Sequence, residues 1–174
     1  MVVDNSWLFG GLAAGAVGLG CVYLIRRWAA GGVCRSQARL DGKTVIITGA
    51  NTGIGLETAV DLAKRNARVI LACRSVERGE TAAVEVRKRS GNDNAVFVQL
   101  DLASLDSVKE FAAKILEEEP QIDILINNAG VVRNAFTKSA DGFELTFAVN
   151  HLATVTFSSP ISFLITSRKL HQLG

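Results

Sequence analysis

The 174 residues are 48% hydrophobic and 21% charged, ordinary globular proportions that exclude a disordered or low-complexity chain. A net charge of +2 gives no electrostatic basis for nucleic acid as a partner. Three scattered cysteines (Cys21, Cys34, Cys73) and two histidines (His151, His171) fit neither a disulfide framework nor a metal-ligand spacing, so no metal is expected.

Residues 7–25, WLFGGLAAGAVGLGCVYLI, carry no charge. As a helix they span roughly 28 Å, close to the apolar thickness of a bilayer. Arg26 and Arg27 follow, with Tyr23 and Trp28 at interfacial positions. Residues 1–28 therefore predict an uncleaved N-terminal transmembrane anchor, since the lead-in offers Asp4 where a cleaved signal would carry basic residues. The basic flank points the remainder to the cytosol if the membrane is the endoplasmic reticulum, with the mitochondrial inner membrane as the other location. Gly11 and Gly15 form a G-x-x-x-G that could pair helices or be bland. Residues 29–42 read as a linker.

From Lys43 short apolar runs alternate with amphipathic ones. TVIIT (44–48), ARVILAC (67–73), AVFVQL (95–100) and IDILI (122–126) read as buried strands. Helices are predicted over 53–65, with Ile54, Leu56, Ala59, Leu62 and Ala63 at helical spacing, over 76–89 after Ser75, after Ser104 with Leu105, Val108, Phe111, Ala112 and Ile115 on the inner stripe, and from Phe143 to about Phe157. Strands alternating with helices imply an α/β, Rossmann-type doubly wound parallel sheet, here of about four strands, over residues 43–152. Residues 153–174 form a separate tail.

Between the first strand and helix lies TGANTGIG (48–55), with glycines at 49, 53 and 55. Gly49 permits a sharp turn, Gly53 admits backbone N–H groups to a pyrophosphate, and Gly55 allows close helix packing. The second strand ends Ala72-Cys73-Arg74 with no carboxylate until Glu77. An NAD site would carry an acid there for the ribose 2′-OH, whereas Arg74 suits the 2′-phosphate of NADP.

TGANTGIG at 48–55, LACRS at 71–75, LDLAS at 100–104, LINNAG at 125–130 and VNHL at 149–152 together resemble the short-chain dehydrogenase/reductase family, in its retinol dehydrogenase branch. The resemblance implies an NADP-dependent oxidoreductase moving hydride between cofactor and a lipophilic, retinoid-like alcohol or aldehyde. It implies cofactor contacts from Gly49, Asn51, Thr52, Gly53, Ile54 and Gly55, adenine contacts from Asp101 and Leu102, and ribose contacts from Asn128, Ala129 and Gly130. Asn127 would brace the sheet and Asn150 would take part in a proton relay, although either could simply make turn or helix hydrogen bonds.

The family chemistry also needs Tyr-x-x-x-Lys and a serine, the lysine lowering the tyrosine pKa so that it exchanges a proton. The single tyrosine is Tyr23, inside the anchor. After Leu152 the family pattern gives way to ATVTFSSPISFLITSRKLHQLG. Pro160 predicts an early end to the preceding helix. ISFLIT (161–166) could imitate a fifth strand ending at Ser167, or the segment could be unrelated sequence, in which Ser158, Ser159, Lys169 and His171 have no role. The alternative function is thus a catalytically inactive, membrane-anchored nucleotide-binding fragment, and a tether without nucleotide is a third reading. An uncovered apolar fourth strand invites pairing with another copy or with full-length relatives.

Overall fold

The structure, a computed structural model, describes residues 6–32 and 34–161, with side chains from Val17 onward. The chain divides into two units between Gln37 and Ala38. The first unit contains one helix, α1 (Ser6–Ala29), whose last turn carries Arg26 and Arg27. Val17, Leu19, Val22, Leu24 and Ile25 are exposed along it. Among the described residues no helix is long and apolar enough to cross a membrane, and the side chains of 7–16 in the anticipated span lie outside them.

The second unit alternates strand and helix: β1 (Thr44–Thr48), α2 (Gly53–Lys64), β2 (Arg68–Cys73), α3 (Val76–Ser90), β3 (Ala95–Gln99), α4 (Leu105–Glu118) and β4 (Ile124–Ile126). The four strands are parallel in the order β3-β2-β1-β4. Side-chain alternation along a strand explains why continuous apolar runs were needed. Val45, Ile47, Val69 and Leu71 face α2 and α3 residues such as Ala59, Ala63, Ala83 and Val86. Ile46, Ile70 and Ala72 face α4 and the last helical segment through Val108, Phe111, Ile115, Ala153 and Phe157. Because β2 and β3 are added on one side of β1 and β4 on the other, the direction in which successive strands are laid down reverses between β1 and β4. Ligands of open α/β sheets bind at such a reversal, beyond the carboxyl ends of the strands.

Charged groups fasten the opposite, amino-terminal ends. Asp123 accepts hydrogen bonds from the Thr44 N–H (2.9 Å) and Lys43 Nζ (2.8 Å). The buried Glu119 carboxylate receives Arg68 in a bidentate pair, with its shortest contact at 2.6 Å. The fourth strand is shorter than the expected 122–126. Asp123 turns its carboxylate onto β1, and ladder pairing begins at Ile124. β4 pairs only with β1, and its outer edge has no strand beside it among the described residues.

The last helical segment departs from expectation at both ends. It begins at Leu145, two residues late, because Glu144 is its cap: the carboxylate accepts from the Thr146 (2.9 Å) and Phe147 (2.7 Å) amides. Those amides hold the Glu144 carboxyl below its ordinary range, the Thr146 N–H most of all. The stabilisation is therefore present above the usual glutamate titration and fades as pH falls through the lowered value. After α5 (Leu145–Phe147) comes a π-helical turn, Ala148–Leu152, and helix over 153–161. Pro160 lies within this helix and does not end it before 161. It removes one N–H, but Ala153, Phe157 and Ile161, four apart, are completely buried, and that apolar stripe outweighs the lost bond. The start of the anticipated fifth strand, Ile161, is thus helical, and 162–166 lie outside the described residues.

Phe157 meets the Phe111 ring edge-on at a centroid distance of 5.1 Å. Phe157→Ala should cost about 3–5 kcal/mol by urea unfolding. A loss below about 1 kcal/mol would show that this segment does not share the core.

Candidate functional site

The site grows out of the carboxyl ends of β1, β2, β3 and β4. At the end of β1, Gly49 turns the chain with φ 65°, and its amide donates to the Ala72 carbonyl of β2 at 2.8 Å. A Cβ there would stand 3.0 Å from Ala129, so both conformation and space require glycine. The loop then reaches α2, whose N-cap, Thr52, is extended and makes no side-chain capping bond. The positive end of α2 is left without a side-chain acceptor. Gly55 in the first turn packs beneath the Asn128 amide, where a Cβ would lie 2.6 Å from both Asn128 Nδ2 and the Gly49 carbonyl oxygen. The close approach expected of Gly55 is therefore to the turn after β4 and to the loop itself.

Thr48 and Asn128 join these two pieces of backbone. Thr48 Oγ1 accepts the N–H groups of Asn128 and Ala129, each at 3.0 Å. Asn128 Nδ2 donates to the carbonyls of Thr48 (2.9 Å) and Gly49 (3.3 Å). Asn127, by contrast, donates to Ser158 Oγ on the last helical segment at 3.2 Å.

At the end of β2, Ser75 caps α3 by accepting from the Arg78 N–H (3.4 Å), which places Arg74 and Arg78 on either side of the helix start. Cys73 is buried, and that burial raises its thiol pKa, keeping it protonated. At the end of β3, Asp101 folds back on its own loop, with Oδ1 accepting from the Ala103 N–H (2.9 Å) and its amide donating to Ser107 Oγ (3.0 Å).

These ends enclose a cavity of about 250 Å³. Of the residues anticipated from the sequence, Gly49, Asn51, Thr52, Arg74, Asp101, Leu102, Ala129 and Gly130 line it. Gly53, Ile54, Gly55, Asn128 and Asn150 do not. Ile54 is 80% exposed and takes no part in the inner stripe of α2, which is formed by Ala59, Val60 and Ala63. Asn150 lies on the π-helical turn and clamps the backbone of Val131, accepting its N–H and donating to its carbonyl, both at 2.8 Å. His151 stacks on Phe147 at 5.3 Å.

Several lining residues were not among the anticipated site residues: Cys73 and Ser75 of the LACRS run and Arg78 from the β2–α3 corner, Val131 and Arg133 beyond β4, and Leu145 and Val149 from the last helical segment. Arg78 could have been found, because it stands one helical turn after Arg74. Arg133 follows no periodic pattern.

The floor is apolar, through Leu100, Leu102, Leu145 and Val149, while the rim carries three guanidinium groups against the single Asp101 carboxylate. An uncapped helix start, a backbone cradle too tight for side chains, and cations above an apolar floor fit a phosphate-bearing ligand with a planar apolar portion. Among the described residues no cluster of histidine, cysteine or acidic side chains could hold a metal.

Comparison with known proteins agrees with this architecture. The family model for short chain dehydrogenase matches residues 43–168. Human "Retinol dehydrogenase 13" is 49% identical over 88% of this chain and 44% of its own length. Human "Retinol dehydrogenase 12" is 54% identical over 86% of this chain and 51% of its own length. The chain thus spans about half the length of the curated relatives it matches. Among solved structures, L-sorbose reductase from Gluconobacter frateurii, determined with NADPH and L-sorbose, superposes with a TM-score of 0.65 at 25% identity, over 76% of this chain and 51% of that one. The glycine turn, the four parallel strands and the Asn128 corner are those of a dinucleotide fold, and the chain belongs to the short-chain dehydrogenase family, with retinol dehydrogenases among its relatives.

Proposed function

We propose that residues 38–161 form the NADP(H)-binding half of an oxidoreductase acting on a lipophilic, retinoid-like alcohol or aldehyde. The observation that carries the cofactor reading is the pair Arg74 and Arg78. They flank the start of α3 at the cavity rim, and neither has a salt bridge or side-chain hydrogen bond among the described residues. A ribose bearing a 2′-phosphate would satisfy both cations, whereas an unmodified ribose would leave them uncompensated. The substrate class rests on the names of the relatives, two human retinol dehydrogenases.

The nicotinamide cofactor would supply the hydride. In this reading Gly49, Asn51, Thr52 and the first turn of α2, Gly53 to Gly55, receive its diphosphate. Asp101 and Leu102 border the adenine, and Asn128, Ala129 and Gly130 border the ribose. Asn150 holds Val131 in place and is the one member of the family's catalytic set within 1–174. The tyrosine–lysine pair that would exchange the substrate proton is not in this stretch, where the single tyrosine is Tyr23 of α1. That observation favours the second reading for residues 1–174 taken alone: nucleotide binding without turnover.

The exposed apolar residues of α1, ending in Arg26, Arg27 and Trp28, support the proposal that this helix attaches the protein to a membrane, with the endoplasmic reticulum preferred over the mitochondrial inner membrane.

Saturating NADPH at about 100 times Kd should stabilise residues 1–174 by about 2.7 kcal/mol, read as a rise in Tm, while NADPH oxidation with retinal stays at background. No Tm shift would remove the cofactor reading, and enzyme-level turnover would remove the inactive one. Thr48→Val deletes the acceptor of two amides at a cost of about 1–3 kcal/mol and should weaken NADPH roughly tenfold, with Thr48→Ser near wild type. Equal affinities in all three would show that the Thr48 link does not shape the site. Deleting residues 1–28 should release the protein from membranes in a flotation assay; continued flotation would assign attachment elsewhere.

A further inference from the structure

We propose that Arg133, in the loop after β4, is a third cofactor-discriminating residue that reads the 2′-phosphate together with Arg74 and Arg78. The inference rests on the NADP(H) reading and extends it to a residue outside the glycine loop and the β2–α3 corner.

Three observations carry it. First, Arg133 lines the same cavity as Arg74 and Arg78, and like them it makes no salt bridge or side-chain hydrogen bond among the described residues. Elsewhere in this unit Arg39, Arg65, Arg68 and Arg89 are paired with carboxylates, and Arg87 donates to the Ala95 carbonyl. The cations without acidic partners that line this cavity are thus three, facing Asp101, whose Oδ1 is already engaged by Ala103. Second, Arg133 is held near the site. Two residues earlier, Val131 is gripped through both its N–H and its carbonyl by Asn150 at 2.8 Å each, and four residues later the Thr137 carbonyl accepts the Leu145 amide at 2.7 Å. These contacts anchor the chain on either side of Arg133, so Asn150 acts on Arg133 as a positioning residue. Third, the three cations line one cavity with a single carboxylate, so a dianion bound there is attracted by more than one of them.

Discrimination follows from charge. A guanidinium on the rim attracts the doubly charged 2′-phosphate and has little to act on in a neutral 2′-hydroxyl. The diphosphate common to both cofactors belongs to the glycine loop and the start of α2. Removing Arg133 should therefore alter the preference between cofactors more than the affinity for dinucleotide as such.

The test measures binding of NADPH, NADH, 2′,5′-ADP and 5′-ADP to residues 1–174 and to the Arg133→Gln and Arg133→Lys variants, with Arg74→Gln as the reference for a 2′-phosphate contact. Arg133 is exposed and unpaired, so apo melting temperatures should match. The expected result is about tenfold weaker NADPH and 2′,5′-ADP in Arg133→Gln, NADH and 5′-ADP within about twofold, most of the affinity kept in Arg133→Lys, and a difference that shrinks in high salt. Unchanged NADPH affinity, or an equal loss for NADPH and NADH, overturns the proposal. If the unsubstituted chain binds none of the four nucleotides, the cofactor reading itself has failed, and that is seen before any variant is measured.

Discussion

Everything at the carboxyl end of the sheet depends on how β1 and β4 are held together beyond their paired residues. β4 contributes only three residues to the ladder, and the next residues must turn away to form a wall. Thr48 supplies what the ladder does not. Its hydroxyl takes two amides from the Asn128 turn, while the Asn128 side chain returns two donors to the β1 backbone. Partly buried polar backbone becomes a cross-link between two walls of one cavity. The glycines follow from it: Gly49 because Ala129 lies against it, Gly55 because the Asn128 amide does.

Charge is distributed along the sheet with the same division of labour. At the amino-terminal ends of the strands the ions are matched, Asp123 to Lys43 and Glu119 to Arg68, and they fasten secondary structure. At the carboxyl-terminal ends the cations stand without acidic partners and the helix start of α2 lacks a side-chain cap. One end of the sheet spends its charge on internal cohesion; the other keeps a field directed at a ligand. The proposed nucleotide would lie at the second end, and that asymmetry, more than any single glycine, is the physical basis of the binding proposal.

The order of strands and helices was legible because it rests on local patterns. Buried parallel strands must be continuously apolar, and Ser75 and Ser104 cap helices in the way short hydroxyl side chains do. The glycine loop was legible for the same reason. What sequence could not show came from contacts between distant segments. Ile54 falls at helical spacing with the apolar residues of α2 yet faces solvent. Pro160 signalled a stop, but complete burial of Phe157 and Ile161 overrides it. The π-helical turn that presents Asn150 to Val131 has no compositional mark, and Arg133 reaches the cavity only because a loop is pinned at both ends.

Joined through Thr48, the glycine loop and the Asn128 turn should respond to cofactor as one wall. Amide NMR of residues 1–174 in micelles during NADPH titration tests it most directly. The amides of Gly49 to Gly55, Arg74, Ser75 and Asn128 to Val131 should shift together along one saturating curve. Shifts confined to one of these segments, or different saturation points for the glycine loop and the Asn128 turn, would contradict it.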